Sequence, residues 1–433
     1  MHAKAKVYFL IFGLFLSAFP SYSQLSRSQY EKIENAFQET SFFGGHLTGF
    51  VLYDLDSQQV LFEKNSQIRF TPASTTKLFT LFASLLILND STQTLRYVAS
   101  GDTLKIWGSG DPSWNYLDLP QPEFEKFFAP YNVIQFSDAN VKSPAWGIGW
   151  QWDDYLYYYS AERSSLPIHG NLLHVLPGKR NPQVLPKRFQ SKIYTTKREI
   201  KDMERDFHKN EFYYNPDFYR GREDYLPLIT SPELFIELAA EETGKEWIYQ
   251  ADSLPDDHKV WRGTSLFPIL KEMMLESDNF LAEQLLYMVS DRLFGEIDTE
   301  RTIEYLIENY LYDLPDEPIW VDGSGLSRYN LFTPRAMIAL FEKLYRIVPD
   351  EILLDLLPTG GVSGTIENEY KAPTPYIFAK TGTMSNNHSL VGLIKCKSGK
   401  QYAFSFMNSN YPWKASEVRR EMEKVLVMLR DML

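Results

Sequence analysis

Residues 71–89 have the sequence TPASTTKLFTLFASLLILN, in which a short polar start is followed by a long apolar run. The apolar side chains recur at helical spacing and form one stripe: Leu78, Leu81, Leu85 and Leu88. We predict a helix from Ser74 to about Leu88, ended by the polar residues 89–91. This helix carries a single charged residue, Lys77. A lone lysine in so apolar a helix indicates a chemical role rather than mere solvation.

Ser74 and Lys77 together supply a candidate nucleophile and its base. Residues three apart share a helix face, so the amine of Lys77 can reach the hydroxyl of Ser74. A serine hydroxyl is a poor nucleophile at neutral pH and needs such a base beside it. Free lysine has a pKa near ~10.4, and burial or a second cation such as Lys380 would lower that pKa. The spacing alone is weak evidence, because most Ser-x-x-Lys sequences lie on surface helices.

A second motif, Ser277-Asp278-Asn279, interrupts a long amphipathic run at residues 269–290. A hydroxyl at Ser277 can pass a proton between Lys77 and a leaving amine. Asn279 offers an amide that can hold a substrate backbone. Asp278 is expected to tie the local turn together. The alternative is that these three residues are simply the polar face of the helix.

A third motif, Lys380-Thr381-Gly382-Thr383, ends or lines a strand. Lys380 and Thr381 can bind a substrate carboxylate, and Gly382 lets a substrate backbone lie close to the strand. The backbone N–H groups of Thr383 and Ser74 can form an oxyanion hole. Two similar patterns, Ser385-Asn386-Asn387 and Lys397-Ser398-Gly399, fall between strands and are interpreted as turns.

The remaining pattern divides the chain into two parts. Residues 49–69 predict a hairpin, and residues 376–408 predict an antiparallel meander that a C-terminal helix follows. Residues 91–261 change to short aromatic-rich segments with frequent Pro, Gly and Asp, which indicates mostly β structure or a mixture. We therefore expect residues 24–90 and 262–433 to form one catalytic domain, an α/β sandwich, with residues 91–261 inserted in it.

The first residues and the composition indicate where in the cell the protein works and which partners it lacks. Lys4 and Lys6, the apolar run 7–19 and small residues before Gln24 predict a cleaved secretory signal at residues 1–23, the alternative being a membrane anchor. A single cysteine, Cys396, excludes an intramolecular disulfide. The net charge of −12 argues against a nucleic-acid partner. We expect an exported, periplasmic protein with no stable membrane insertion after cleavage.

The ordered motif set resembles that of the penicillin-recognising serine enzymes. Further segments are similar to those of the low-molecular-mass class C penicillin-binding proteins, the D-Ala-D-Ala carboxypeptidase/endopeptidases. They are spread over almost the whole mature chain: 108–112 (GSGDP), 150–154 (WQWDD), 322–328 (DGSGLSR) and 361–365 (GVSGT). The resemblance implies the α/β (α+β) class, namely a β-lactamase/transpeptidase-like sandwich of antiparallel sheet and helices. It also implies mostly-β domains inserted after the nucleophile helix.

The resemblance also implies roles for the site residues. Ser74 is expected to be acylated with Lys77 as general base, and Ser277 to relay protons. Substrate-binding residues are expected to be Asn279, Lys380, Thr381, Thr383 and, from the inserted region, Asp154 (less favoured, Asp153). The implied partners are peptidoglycan stem peptides and β-lactam antibiotics, and the reaction needs no metal or cofactor. Two alternatives stay open, a β-lactamase or esterase on the same scaffold and a non-catalytic peptidoglycan-binding protein.

Overall fold

The computed structural model describes residues 25–38, 41–117, 119–178 and 181–433. The predicted signal at residues 1–23 lies outside the described residues. The helices are α1 Arg27–Ala36, α2 Lys77–Ile87, α3 Phe124–Phe128, α4 Pro232–Thr243, α5 Phe267–Leu275, α6 Asn279–Phe294, α7 Thr299–Tyr310, α8 Pro334–Ile347, α9 Asp350–Leu356 and α10 Ala415–Met432. Within the described ranges, no helix is both long enough and apolar enough to cross a membrane.

The strands fall into one large sheet near the chain ends and several sheets in the middle of the chain. They are β1 Leu47–Asp54, β2 Gln59–Lys64, β3 Ser91–Ser100, β4 Thr103–Gly108, β5 Val133–Ser137, β6 Leu172–Val175, β7 Val184–Leu185, β8 Ile193–Thr195, β9 Glu204–Arg205, β10 Phe212–Tyr214, β11 Asp224–Pro227, β12 Glu246–Tyr249, β13 Lys259–Ser265, β14 Ile377–Met384, β15 Asn387–Lys395 and β16 Gln401–Ser409. The predicted hairpin and meander are confirmed, with outer ends that differ by two and five residues for the hairpin and by one residue for the meander.

One antiparallel five-stranded sheet joins the two ends of the chain, in the order β14-β15-β16-β1-β2. Leu47 of β1 pairs with Ser409 of β16, so the strand that comes first along the chain lies beside the strand that comes last. Because side chains alternate across a strand, β16 sends its residues to both faces. Phe404 and Phe406 enter the core that α1 and α10 cover, and Met407 enters the opposite core. The predicted sandwich of sheet and helices is confirmed.

The helices on the second face position the site. The residues of α2, α5, α6 and α8 share one apolar core with this face of the sheet. Helix α6 runs through the middle of this core, and its residues from Phe280 to Asp291 are all buried. A helix that is buried all round is typical of the centre of a large domain. Ser74 precedes α2 and Asn279 is the first residue of α6. The packing of these two helices in the core therefore brings both residues to one end of it.

The middle of the chain builds a second five-stranded sheet, β12-β5-β4-β3-β13, and two three-stranded sheets. Helices α3 and α4 accompany them, and their residues share a separate apolar core with these strands. The structure thus combines strands with helices, whereas the sequence analysis favoured mostly β structure and missed α4. Strand β13 runs to Ser265 and pairs with β3. The last strand of this sheet therefore crosses the boundary that the sequence analysis placed after residue 261.

Candidate active site

Ser74 lies in a tight turn that precedes helix α2. Residues Ala73–Thr76 form a single 3₁₀ turn, and the α-helix itself begins at Lys77 rather than at Ser74 as the periodicity predicted. Ala73 has a φ of 49°, a conformation that costs a non-glycine residue energy and is typical of functional turns. The hydroxyl of Thr76 donates to the carbonyl of Ala73 at 2.8 Å and helps to hold the turn.

Lys77 is fully buried beside Ser74. Its Nζ lies 3.1 Å from Ser74 Oγ, 2.6 Å from Asn279 Oδ1 and 2.8 Å from the carbonyl oxygen of Ser324. Burial disfavours the charged amine and lowers the pKa of Lys77 to about 8. The nearby carboxylates of Asp278, Asp322 and Glu283 oppose this shift. The structure therefore gives Lys77 a usable neutral fraction at physiological pH, mainly through burial.

Ser277 and Lys380 form a second pair. Lys380 is buried in β14, and its Nζ donates to Ser277 Oγ at 2.8 Å and to the carbonyl of Thr381 at 3.1 Å. Ser277 has a φ of 62°, so its hydroxyl is presented by a strained turn between α5 and α6. Burial, followed by repulsion from Lys77, holds the pKa of Lys380 well below its usual value. The sequence analysis expected the two lysines to repel each other and so to lower the pKa of Lys77, and the same repulsion lowers the pKa of Lys380.

Asp278 and Asn279 fix the start of helix α6. Asp278 caps the helix by accepting from the N–H of Leu281 at 2.8 Å, and it accepts from the hydroxyl of Tyr116 at 2.6 Å. This is the turn-holding position that the sequence predicted for it. Asn279 accepts from Lys77 and donates through Nδ2 to the carbonyl of Tyr159 at 2.9 Å. The motif is therefore a break between two helices and not the polar face of one helix.

Strand β14 lies directly against the Ser74 turn. A Cβ atom at Gly382 would lie 2.3 Å from the carbonyl oxygen of Pro72 and 3.0 Å from the backbone nitrogen of Ser74, so only glycine permits this approach. The two neighbouring threonines have partners outside the predicted set: Thr381 Oγ1 lies 2.8 Å from Thr365 Oγ1, and Thr383 Oγ1 lies 2.8 Å from His388 Nδ1. Burial lowers the pKa of His388 to about 3, which keeps its imidazole neutral.

An open cleft of about 360 Å³ connects these groups. Its lining includes Ser74, Ser277, Asn279 and Thr383, and on the side of the inserted region it includes Asp154. Asp154 accepts from the hydroxyl of Tyr159 at 2.8 Å. The structure thus brings residues of the three motifs to one cleft, and the predicted Asp154 lines the same cleft as Ser74. Asp153 is not part of this lining.

Several groups at the site escaped the sequence analysis. The carbonyl of Ser324 and the carboxylate of Glu283 lie behind Lys77, while Thr365 and His388 contact the threonines of β14. Residues 322–328 and 361–365 had been noted as family signatures, which was the available signal for Ser324 and Thr365. In the described part of the chain, no three His, Cys, Asp or Glu residues lie close enough together to hold a metal ion.

Comparisons with known proteins identify the relatives of this chain. Residues 29–183 and 250–432 match the model of the D-Ala-D-Ala carboxypeptidase 3 (S13) family. The D-alanyl-D-alanine carboxypeptidase DacB of Haemophilus influenzae is 23% identical over 416 residues, which cover 84% of this chain and 86% of that protein. The penicillin-sensitive carboxypeptidase A of Dictyostelium discoideum is 25% identical over 450 residues, covering 85% of this chain and 83% of its own.

The fold agrees with these matches. The crystal structure of penicillin binding protein 4 (dacB) from Haemophilus influenzae superposes with a TM-score of 0.72 at 20% identity, covering 92% of this chain and 98% of that one. The family match spans both parts of the sandwich sheet and every motif residue described above, from Ser74 to Thr383. It confirms the resemblance to the low-molecular-mass class C penicillin-binding proteins. The chain therefore belongs to the D-Ala-D-Ala carboxypeptidase 3 (S13) family of serine peptidases.

Proposed function

We propose that this protein is a serine DD-peptidase that cleaves D-Ala-D-Ala termini, D-Ala cross-links or both in peptidoglycan. The observation that carries the proposal is the contact between Lys77 Nζ and Ser74 Oγ at 3.1 Å, in a cleft that Ser277 and Asn279 also line. Membership of the family supports the reaction type. Geometry and chemistry point the same way, because a buried amine with a lowered pKa can activate a serine hydroxyl.

The acylation step follows from this geometry. Neutral Lys77 takes the proton of Ser74 as its oxygen attacks the carbonyl of the penultimate D-Ala. The backbone N–H groups of Ser74 and Thr383 stabilise the oxyanion, which is the role expected of two converging amides. The C–N bond then breaks, and the departing amine of the last D-Ala receives a proton through Ser277. Water hydrolyses the Ser74 ester in a second step and restores the free serine.

A carboxylate anchor selects the end of the peptide. The terminal carboxylate of D-Ala lies beside the scissile amide, where Lys380 and the hydroxyls of Thr381 and Thr383 can hold it. The incoming carboxylate favours the charged form of Lys380, against the effect of burial, and the resulting charge-assisted bond is stronger than a neutral hydrogen bond. The contact between Lys380 and Ser277 places the anchor next to the proton relay. Where the carbon that bears the cross-linking amine also carries a carboxylate, that carboxylate lies beside the scissile bond, and the same anchor would serve endopeptidase cleavage.

Two further residues contact the rest of the substrate in this proposal. Asn279 uses one amide hydrogen on Tyr159, and its second amide hydrogen can donate to a substrate carbonyl. Asp154 lines the same cleft as Ser74, and in this proposal its carboxylate binds a polar group of the stem-peptide side chain. β-Lactam antibiotics combine a reactive amide with a carboxylate, so we expect them to acylate Ser74 as stable analogues of the substrate.

The environment and the domain arrangement belong to the same proposal. We propose that residues 1–23 are a secretory signal and that the mature protein works in the periplasm, where peptidoglycan is found. Residues 24–90 and 262–433 would form the catalytic domain, with the inserted region between them. The separate apolar core of the middle region supports this division. Within the proposal the reaction uses side chains, backbone N–H groups and water.

Mass spectrometry tests the proposed function. Purified protein is incubated with benzylpenicillin, digested and compared with a Ser74→Ala variant, while D-Ala release is measured from a pentapeptide ending in D-Ala-D-Ala. We expect one stable adduct on the peptide that contains Ser74, loss of that adduct in the variant, and D-Ala release. Fast turnover of a chromogenic cephalosporin would favour a β-lactamase instead. Binding of muropeptides without release or labelling would favour a non-catalytic protein.

A further inference from the structure

Two fixed acceptors control the direction of the Lys77 lone pair. A neutral primary amine has two N–H hydrogens and one lone pair. Asn279 Oδ1 and the carbonyl oxygen of Ser324 lie 2.6 and 2.8 Å from Lys77 Nζ and can take both hydrogens. The lone pair is then left for the hydroxyl of Ser74 at 3.1 Å. The direction of the Lys77 lone pair therefore depends on the positions of these two acceptor oxygens.

The acceptor at Ser324 belongs to a segment that is held on both sides. Helix α2 donates to its carbonyls, through Thr80 Oγ1 to Gly323 at 2.6 Å and through Lys77 to Ser324. Two buried carboxylates accept from its N–H groups: Glu283 from Ser324 at 2.8 Å, and Asp322 from Gly325 at 2.9 Å. Each peptide unit is thus fixed between a donor on α2 and a carboxylate.

The inserted region reaches both acceptors through one short segment. Arg163 Nη1 donates to the second carboxylate oxygen of Glu283 at 2.9 Å, and the two side chains are only 3% and 0% exposed. Four residues earlier in the chain, the carbonyl of Tyr159 accepts from the amide of Asn279 at 2.9 Å. Residues 159–163 therefore support the Asn279 acceptor directly and, through Glu283, the N–H group of Ser324, the residue whose carbonyl is the second acceptor.

We propose that Arg163 and Glu283 are positioning residues that direct the amine of Lys77 to Ser74 through the backbone of Ser324, whose N–H group donates to Glu283 and whose carbonyl accepts from Lys77. The inference rests on the proposed function, because it assigns Lys77 as the base. It makes part of the inserted region a component of the catalytic centre. Neither residue touches the substrate in this arrangement. Arg163 and Glu283 act by holding the carbonyl oxygen of Ser324 close to the position that proton transfer from Ser74 to Lys77 requires.

A second buried ion pair on the same helix provides a matched control. Arg96 Nε donates to Asp291 Oδ1 at 2.8 Å and joins β3 of the middle region to helix α6. Asp291 lies about 12 Å along the helix from Glu283, by the rise of 1.5 Å per residue. The control pair is buried like the pair under test and it bridges the same parts of the protein. Loss of either ion pair should therefore lower the stability of the protein. Only loss of the Arg163–Glu283 pair should also disturb Lys77.

The experiment compares three double variants with the wild-type protein. R163M/E283Q removes the buried charges but keeps a side-chain oxygen that can accept from the N–H of Ser324. R163M/E283L removes that acceptor as well, and R96M/D291N removes the control pair. Replacing both partners avoids an uncompensated buried charge. The second-order rate of acylation by fluorescent penicillin is measured from pH 6 to 9.5, together with the melting temperature of each protein.

We expect R163M/E283L to acylate about 10- to 100-fold more slowly than the wild type, as a misplaced base would. R163M/E283Q should stay within about threefold of the wild-type maximum, because its acceptor is kept. Its pH dependence should stay close to that of the wild type, because the variant removes Glu283, which raises the pKa of Lys77, together with the opposing positive charge of Arg163. Asp278, Asp322 and Lys380, the other charged groups around Lys77, are unchanged. R96M/D291N should keep the wild-type rate and pH dependence.

The outcomes separate this inference from the proposed function. Absence of label on Ser74 in the wild-type protein would overturn both. Normal labelling of the wild type, with an unchanged rate and pH dependence in R163M/E283L, would overturn the positioning role alone. If R96M/D291N lost as much of its acylation rate as R163M/E283L, the effect would be purely structural, and the positioning role would again be overturned. If R163M/E283L does not fold, Glu283→Asp keeps the charge but withdraws the acceptor, and an undiminished rate in that variant would refute the inference.

Discussion

The pH dependence of acylation follows from the burial of Lys77. With a pKa of about 8, about 9% of the lysine is neutral at pH 7 and about 50% at pH 8. A lysine at its ordinary pKa near ~10.4 would be only about 0.04% neutral at pH 7. Burial therefore increases the population of the reactive base about 200-fold at pH 7. Because the neutral form is the active one, the acylation rate should increase as pH rises.

Stopped-flow mixing with fluorescent penicillin measures this rate directly. From pH 6 to 7 the rate should increase about tenfold, from pH 7 to 8 about fivefold, and above pH 9 it should level off. Lys77→Arg is the control, since a guanidinium stays protonated and should give a very slow rate with no such rise. A wild-type rate that is constant between pH 6 and 9, or that rises only above pH 10, would refute the reasoning.

Three further predictions concern the turn, the strand and the anchor. Gly382→Ala should slow acylation about 100-fold by forcing β14 away from the Ser74 turn, whereas Gly178→Ala, which meets nothing within 4 Å, should have no effect on labelling. Ser277→Gly and Ser277→Ala should both lose peptidase activity, but chemical denaturation should find the glycine variant more stable by about 1 kcal/mol, because the positive φ strains alanine; equal stabilities would contradict the strain. Thr365→Val should raise KM for D-Ala release several-fold with a smaller effect on kcat, because Thr381 loses its hydroxyl partner; steady-state kinetics that show only a kcat effect would contradict this.

The sequence was most informative where a local pattern and a chemical motif coincide. The period-two runs at residues 376–408 predicted β14 to β16 closely, because turns marked by Gly or Asn separate three strand-length segments. The break at Ser277 was visible because three polar residues interrupt an apolar helix. Each motif residue followed from its chemistry and from the family resemblance. Side chains that act within one strand or helix turn are thus accessible to sequence reasoning.

Other features depend on contacts that no local pattern encodes. The position of Ser74 in a 3₁₀ turn depends on packing against Gly382, which lies far away in the sequence. The carbonyl of Ser324 accepts from Lys77, but a backbone group has the same chemistry at every residue and leaves no signal. Helix α4 was missed although its sequence carries local signals, namely a capping Ser231, Pro232 in the first turn and Gly244 at the end. The pairing of Arg163 with Glu283 likewise appears only when two separate segments are brought together.

The pairing of Leu47 with Ser409 also determines when the enzyme can first become active. A ribosome makes β1, α2 and Ser74 early, but Asn279, β14 and Lys380 leave it much later. An unfinished nascent chain therefore has its serine without the amide acceptor or the carboxylate anchor, and it cannot react with a cell-wall peptide or an antibiotic. Contacts so distant in sequence also slow folding, which favours completion only after the whole polypeptide has been released.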